Sequence, residues 1–192
     1  MTPPPGSGTP LPPTESPPLR LVVMGVTSTG KSTVAEGVGA AFGLTCLDGD
    51  DLHSAQSVEK MRAGIPLTDE DRWPWLARIG ERLAQCEVPG LVISCSALRR
   101  VYRDAIRQAA PGVRFLFLDG PGELIRSRMQ RRSGHYMPVS LLDTQLALLE
   151  RPGADEADVL RVDIGAAMPA VIESAVAAVL ADRPQARRLE PA

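Results

Sequence analysis

The sequence predicts an α/β fold, a three-layer sandwich in which a parallel five-stranded sheet is flanked by helices. Short apolar segments alternate with longer segments of helical periodicity, and strands that are apolar throughout are typical of a parallel sheet covered on both faces. Right-handed crossovers between such strands place helices on both sides. The predicted strands are 20–24, 44–47, 90–95, 113–118 and 158–162. The predicted helices are 31–42, 50–62, 69–86, 97–109, 121–132, 138–149 and 166–182.

Composition restricts the classes of function. The chain has 192 residues, which suits one domain, and its 4% aromatic content predicts an aliphatic core. A net charge of −2 provides no general basic field, so we expect no nucleic acid as partner. No apolar run approaches the ~20 residues of a membrane span, so we expect no membrane contact. Three cysteines without a C-x-x-C pair, and a start without the pattern of a secretory signal, favour a cytoplasmic protein with reduced thiols.

The ends of the chain differ from its middle. Residues 1–18 are rich in proline, glycine, serine and threonine and contain almost no large apolar side chain, so we expect a disordered, locally extended tail. A proline-rich docking ligand is the alternative. We expect the folded domain over 19–183 and a second tail over 184–192.

The segment between the first strand and the first helix fits the phosphate-binding pattern G-x-x-x-x-G-K-[ST] over residues 25–32. Its glycines allow successive backbone N–H groups to face nucleotide phosphates, Lys31 adds a positive charge, and the Ser32 hydroxyl is a ligand for Mg²⁺. Only two of the 21 basic residues are lysines, Lys31 and Lys60, and a compact ammonium suits a crowded phosphate site. The alternative is a turn rich in glycine, threonine and serine without a ligand.

Acidic residues follow the second predicted strand. Asp48 stands at the strand end, where it is placed to hold a metal ion, and Asp50 is placed to accept the proton of an attacking hydroxyl. His53 is a candidate substrate contact beside them. The alternative is a helix N-cap in which the aspartates complement the helix dipole.

The third predicted strand ends in serines and a cysteine, without the aspartate that many phosphate-loop enzymes have there. Metal ligation is therefore expected from Ser32, water and the Asp48 region. Arg99 is a candidate for binding a substrate carboxylate with a bidentate fork. We expect Arg100 and Arg103 to face solvent, and Arg62 is a candidate contact to an anionic acceptor.

Four arginines lie within residues 126–132, ahead of a glycine that can act as a hinge. Their position after the fourth predicted strand favours a mobile lid over about 126–138 that closes on ATP, excludes water and stabilises charge on the transferring phosphoryl group. Arg128 and Arg132 are four residues apart and share one helix face. A solvated charged face and a nucleic-acid contact are the alternatives.

Taken together, these segments resemble the gluconate kinase family of phosphate-loop small-molecule kinases. The resemblance covers about residues 20–182 and is carried by 25–32, 47–53, 64–69, 71–76, 94–100, 134–138 and 141–145. It implies ATP- and Mg²⁺-dependent phosphorylation of D-gluconate at its 6-hydroxyl, a fold close to shikimate and adenylate kinases, and a possible homodimer. In this chain Ser28 stands where the family usually has glycine, Arg99 where lysine is common, and Tyr136 where phenylalanine is common.

The resemblance also implies roles for single residues. The phosphate-binding residues are Gly25, Val26, Thr27, Ser28, Thr29, Gly30, Lys31, Ser32 and Thr33. The catalytic residues are Lys31, Asp50, Arg128 and Arg132. The candidate gluconate contacts are Asp50, His53, Arg62, Arg99 and His135. The candidate metal ligands are Ser32 and Asp48.

Two other hypotheses remain open from the sequence. One is a kinase of the same fold that acts on shikimate or a nucleoside monophosphate, against which the acceptor-side segments argue. The other is a non-catalytic nucleotide-binding switch. The N-K-x-D sequence typical of guanine-specific switches does not occur in this chain.

Overall fold

A computed structural model describes residues 17–131 and 139–189 of the chain. It contains a five-stranded sheet in the order β2-β3-β1-β4-β5, and all strand pairs in it are parallel. The strands are β1 (Leu19–Met24), β2 (Thr45–Asp48), β3 (Gly90–Ser94), β4 (Arg114–Asp119) and β5 (Val159–Asp163). Every predicted strand is confirmed, with boundaries within one residue.

The described helices are α1 (Lys31–Phe42), α2 (Ala55–Arg62), α3 (Asp69–Ala84), α4 (Arg100–Ala109), α5 (Gly122–Arg131), α6 (Val139–Leu148) and α7 (Met168–Asp182). The prediction of one continuous helix over 50–62 is wrong. A 3-10 helix spans Gly49–Leu52, and His53 and Ser54 are extended before α2 begins. The Ser54 hydroxyl accepts a hydrogen bond from the Ser57 N–H at 3.1 Å, so this serine starts a new helix instead of continuing the old one.

The predicted three-layer arrangement is confirmed by two buried apolar clusters, one on each face of the sheet. Alternate residues of β1 point to opposite clusters: Leu21 and Val23 to the first, Val22 and Met24 to the second. The first cluster includes side chains of α1 and α7, and the second includes side chains of α3 and α4. None of the described helices combines the length and the apolar character needed to cross a bilayer.

The parallel register brings the carboxyl ends of the strands to one edge of the sheet. Asp48 of β2 pairs with Ser94 of β3, and Val23 of β1 pairs with the same Ser94. The loop of residues 25–30 follows β1 directly, so it lies at the edge that carries Asp48. This is the edge at which open α/β sheets bind ligands.

The expectation that Arg103 faces solvent is wrong. Its side chain is 1% exposed and donates to both carboxylate oxygens of Glu156 at 2.7 and 2.6 Å. It also donates to the carbonyls of Ala97 and Leu98, which precede α4. A buried guanidinium needs such complete pairing, because an unpaired charge away from water is strongly destabilising. Arg103 therefore fixes the segment after β3 to the segment before β5.

Candidate active site

The phosphate loop turns sharply between β1 and α1. Gly30 has a φ of 96° and Ser28 a φ of 62°, and both values fall where L side chains are strained. The Val26 carbonyl accepts hydrogen bonds from the Thr29 hydroxyl at 2.9 Å and from the Lys31 ammonium at 3.1 Å. The loop thus curls around its own lysine, with Thr29 fully buried inside the turn.

Asp48 lies at the mouth of this loop. Its Oδ2 accepts a hydrogen bond from the Ser32 hydroxyl at 3.3 Å, and its Oδ1 accepts from the Ser94 hydroxyl and the Asp50 N–H, both at 3.0 Å. The two residues expected to hold the metal ion, Ser32 and Asp48, are therefore in contact.

The side-chain atoms of Ser32, Asp48 and Ser94 that meet at this position are oxygens, the ligand type that Mg²⁺ prefers. Within residues 17–131 and 139–189, no group of three or more histidine, cysteine or acidic side chains is arranged to hold a metal ion. A sparse protein ligand set still fits Mg²⁺, which keeps several waters and shares its coordination with substrate phosphates.

Asp50 projects from the 3-10 helix beside Asp48. Its side chain is 79% exposed, yet surrounding protein displaces part of the bulk water, and this desolvation together with repulsion from Asp48 raises the pKa of its carboxyl. The nearby Lys31 opposes that increase. A carboxylate with a raised pKa is a stronger proton acceptor, which is the property that a general base needs.

His53 lies beneath Asp50, with its Nε2 4.0 Å from the Asp50 carboxylate. The imidazole is 4% exposed and stacks on the indole of Trp75 at a centroid distance of 4.3 Å. Its Nδ1 is buried without a described hydrogen-bond partner. Burial, followed by the charges of Arg72 and Arg78, lowers the pKa of His53 to about 4, so the ring is neutral at pH 7.

Trp75 supports this arrangement and was not recognised as a site residue from the sequence. Its indole N–H donates to the Gly49 carbonyl at 2.6 Å, which fixes the turn that carries Asp50. In the sequence, the 71–76 segment carries part of the family resemblance and contains both tryptophans of the chain. The two tryptophans differ in the fold: Trp75 is 3% exposed, whereas Trp73 is 41% exposed.

Arg99 belongs to a second polar cluster, centred on Asp69 at the start of α3. Arg99 Nη1 donates to Asp69 Oδ2 at 2.6 Å, and the Tyr102 hydroxyl donates to Asp69 Oδ1 at 2.5 Å. Arg72 approaches the same carboxylate at 3.4 Å and the Tyr102 hydroxyl at 3.2 Å. The hydrogen bond from Tyr102, together with those from the arginines, lowers the pKa of Asp69. The carboxylate of Asp69 thus interacts with two cationic side chains, those of Arg99 and Arg72.

Arg62 does not join this cluster. It is an exposed residue in the last turn of α2, and no ion pair or hydrogen bond among the described residues connects it to Arg99 or Asp69. Asp69 and Tyr102, by contrast, were missed as site residues. A capping box formed by Thr68 and Asp71 starts α3, and Asp69 lies in the first turn, where an acidic residue is common for local reasons alone.

Arg128 lies on α5 against the loop that follows β5. Its Nη2 donates to the carbonyls of Ile164 and Ala166 at 2.6 and 3.1 Å, and its Nη1 is buried without a described partner. The predicted contact of Arg128 with the transferring phosphoryl group remains a prediction. The other two candidates from this region, Arg132 and His135, lie outside the described residues.

Comparison with known proteins agrees with this geometry. Residues 21–152 match a family model described as an AAA domain. The thermosensitive gluconokinase of Escherichia coli (strain K12) is 47% identical over 165 residues, which cover 84% of this chain and 88% of that protein. A gluconokinase crystal structure from Sinorhizobium meliloti 1021 aligns with a TM-score of 0.81 at 46% identity, over 88% of this chain and 95% of the other.

A shikimate kinase from Aquifex aeolicus vf5, at 15% identity and a TM-score of 0.55 over 85% of this chain and 98% of the other, shares the fold alone. The parallel sheet, the phosphate loop and these neighbours define a P-loop small-molecule kinase fold, as predicted. Within that class, the chain belongs to the gluconokinase family.

Proposed function

We propose that this protein transfers the γ-phosphoryl group of ATP to the 6-hydroxyl of D-gluconate in a Mg²⁺-dependent, in-line reaction. The observation that carries the proposal is the contact between the Ser32 hydroxyl and Asp48 at the mouth of the phosphate loop, with Asp50 beside it. The choice of gluconate as acceptor rests on the family to which the chain belongs.

On the nucleotide side, the backbone N–H groups of residues 25–33 and the Lys31 ammonium bind the β- and γ-phosphates. Ser32 and Asp48 hold Mg²⁺, which when bound neutralises charge that develops on the phosphate oxygens. Lys31 donates to the Val26 carbonyl at 3.1 Å and thus lies inside the loop that surrounds the phosphates.

On the acceptor side, Asp50 accepts the proton of the attacking hydroxyl as its oxygen bonds to the γ-phosphorus and the bond from that phosphorus to the β-phosphate oxygen breaks, which releases ADP. The neutral ring of His53 contacts a sugar hydroxyl without adding charge. Arg99, with Arg62 as a further candidate, binds the carboxylate of gluconate. The hydrogen bond to Asp69 orients the Arg99 guanidinium, which in this proposal exchanges from Asp69 to the substrate carboxylate.

The lid arginines complete the site in this proposal. Arg128 and Arg132 stabilise negative charge on the transferring group when residues 126–138 close, and His135 contacts the acceptor. Closure excludes water, which would otherwise accept the phosphoryl group in place of gluconate. We further propose a homodimeric, cytoplasmic enzyme; light scattering of the purified chain tests the first of these.

Coupled ADP release with Mg-ATP tests the reaction, with D-gluconate, shikimate, AMP and water compared as acceptors. We expect turnover only with gluconate. Lys31→Ala should abolish it, whereas Lys60→Ala, which changes the other lysine of the chain, should retain it. Asp50→Asn should lower kcat by about 10²–10⁴-fold with the fold intact. Activity with shikimate or AMP instead would preserve the fold and reject the substrate, and nucleotide binding without any turnover would favour the switch hypothesis.

A further inference from the structure

The peptide unit between Val26 and Thr27 is held from two opposite directions. Its carbonyl accepts hydrogen bonds from the Lys31 ammonium at 3.1 Å and the Thr29 hydroxyl at 2.9 Å. Its N–H donates to the side-chain oxygen of Gln145 at 2.6 Å, across 118 residues of sequence. The oxygen assignment of that amide follows from chemistry, because a backbone N–H requires an acceptor.

The partner of this N–H lies on α6, far from the phosphate loop in the sequence. Thr27 is 9% exposed and the Gln145 side chain is partly buried, so bulk water competes poorly for the bond. Hydrogen bonds in such a setting are stronger than exposed ones, and leaving the N–H unsatisfied is costly. The ion pair between Arg126 and Asp143 of α6 differs from this hydrogen bond, because both of its side chains are exposed to solvent.

A peptide unit is planar, so the direction of its N–H determines the direction of its carbonyl. If Gln145 holds the Thr27 N–H toward α6, the Val26 carbonyl necessarily points away from α6, to the position where it meets Lys31. Rotation of this peptide would break the bond to Gln145 and the bond to Lys31 together. The next residue, Ser28, has a φ of 62°, which is an unfavourable backbone conformation for serine. The backbone beside the Val26–Thr27 peptide therefore does not stabilise its orientation, and the hydrogen bonds must do so.

We propose that Gln145 is a positioning residue for Lys31. Acting through the Val26–Thr27 peptide, it sets the orientation of the carbonyl that anchors the lysine ammonium in the phosphate loop. The proposal rests on the proposed function for the role of Lys31 in nucleotide binding, but it does not depend on the identity of the acceptor.

A double-mutant cycle on nucleotide affinity tests this coupling, measured by calorimetry with ATP and with ADP in the absence of any acceptor. Gln145→Met keeps the length of the side chain and removes the acceptor oxygen. We expect it to weaken nucleotide binding about five- to tenfold, the effect of one lost hydrogen bond. In a Lys31→Met background the same change should alter affinity less than about twofold, because the residue through which it acts is gone. Asp143→Asn, on the same helix, should leave affinity unchanged.

Equal losses from Gln145→Met with and without Lys31 would overturn the proposal, because they would show that Gln145 supports the loop independently of the lysine. An unchanged affinity in Gln145→Met alone would also overturn it. If Gln145→Met does not fold, Gln145→Asn, whose amide is one methylene too short to reach Thr27, is measured in the same cycle. If Gln145 and Lys31 are coupled in nucleotide affinity but the chain does not turn over gluconate, the proposed substrate is rejected and this inference stands. If the unaltered chain does not bind nucleotide, both proposals are overturned.

Discussion

His53 stacks on Trp75 with the two rings nearly parallel, at an interplanar angle of 12° and a centroid distance of 4.3 Å. Trp75 also donates its indole N–H to the carbonyl of Gly49, so one side chain of α3 supports both the histidine and the turn that carries Asp50. The neutral state of the imidazole is part of this packing, because a protonated ring would be buried next to Arg72 and Arg78.

The lowered pKa of His53 predicts a specific pH dependence of stability. Its folded-state pKa of about 4 lies below the unperturbed value of 6.5, so the unfolded chain binds more protons between these values. Stability should therefore fall as the pH drops from about 6.5 to 4, by at most about 1.4 kcal/mol per pH unit from this group.

Urea unfolding across that range, compared between the unaltered chain and His53→Phe, isolates the effect. Phenylalanine retains the stack and cannot titrate, so the variant should show a shallower decrease. Parallel pH profiles for the two proteins would contradict the assignment of a neutral, buried ring.

Glu156 neutralises two arginines in the interior, and its removal should be strongly destabilising. Burial by itself would raise the pKa of Glu156, but hydrogen bonds from Arg103 and Arg107 outweigh burial and lower it to about 2. Glu156→Gln leaves the fully buried Arg103 without its counter-charge, so we expect a loss of about 3–5 kcal/mol in the free energy of unfolding.

Chemical denaturation measures this loss, and the chain offers a matched control. Glu173 pairs with Arg188 at 2.7 Å on the surface, and Glu173→Gln should change stability far less because water screens that pair. Similar effects of the two substitutions would argue against a buried role for Glu156.

Ser28 is a non-glycine residue in the left-handed region, with a φ of 62°. Replacing it with glycine removes a steric penalty of about 1–2 kcal/mol from the folded state. The change also destabilises the fold by about 0.5–1 kcal/mol, because glycine loses more conformational freedom on folding. Ser28→Gly should therefore raise the melting temperature slightly. The same substitution at Ser174, inside α7, should lower it, because glycine is a poor helix former. A decrease in both variants would show that the strain at Ser28 is compensated elsewhere in the loop.

Arg99 should determine affinity for the acceptor and not for the nucleotide. Its Nη1 donates to Asp69, and a lysine at this position would keep the charge but lose the planar fork that can bind a substrate carboxylate at two points. Arg99→Lys is expected to raise the KM for gluconate about tenfold with little change in the KM for ATP. Steady-state kinetics with each substrate varied separately provides the measurement. An increase confined to ATP would place Arg99 on the nucleotide side instead.

The sequence by itself determined the local elements of this protein. Five strands, the phosphate loop and the position of Asp48 at a strand end were all predicted, because each depends on periodicity or on residues close together in the sequence. The parallel sheet followed from the alternation of these elements.

Only the tertiary structure decided which distant residues meet. Arg103 looks like a surface arginine in the sequence, yet it pairs with Glu156, 53 residues later, inside the fold. Gln145 contacts Thr27 over 118 residues, and the Trp75 indole reaches back 26 residues to Gly49. Such contacts leave no periodic pattern in the sequence. The packing of distant segments determines how much it costs to bury a polar group and which partner that group finds. Helix propensity and spacing do not encode either one.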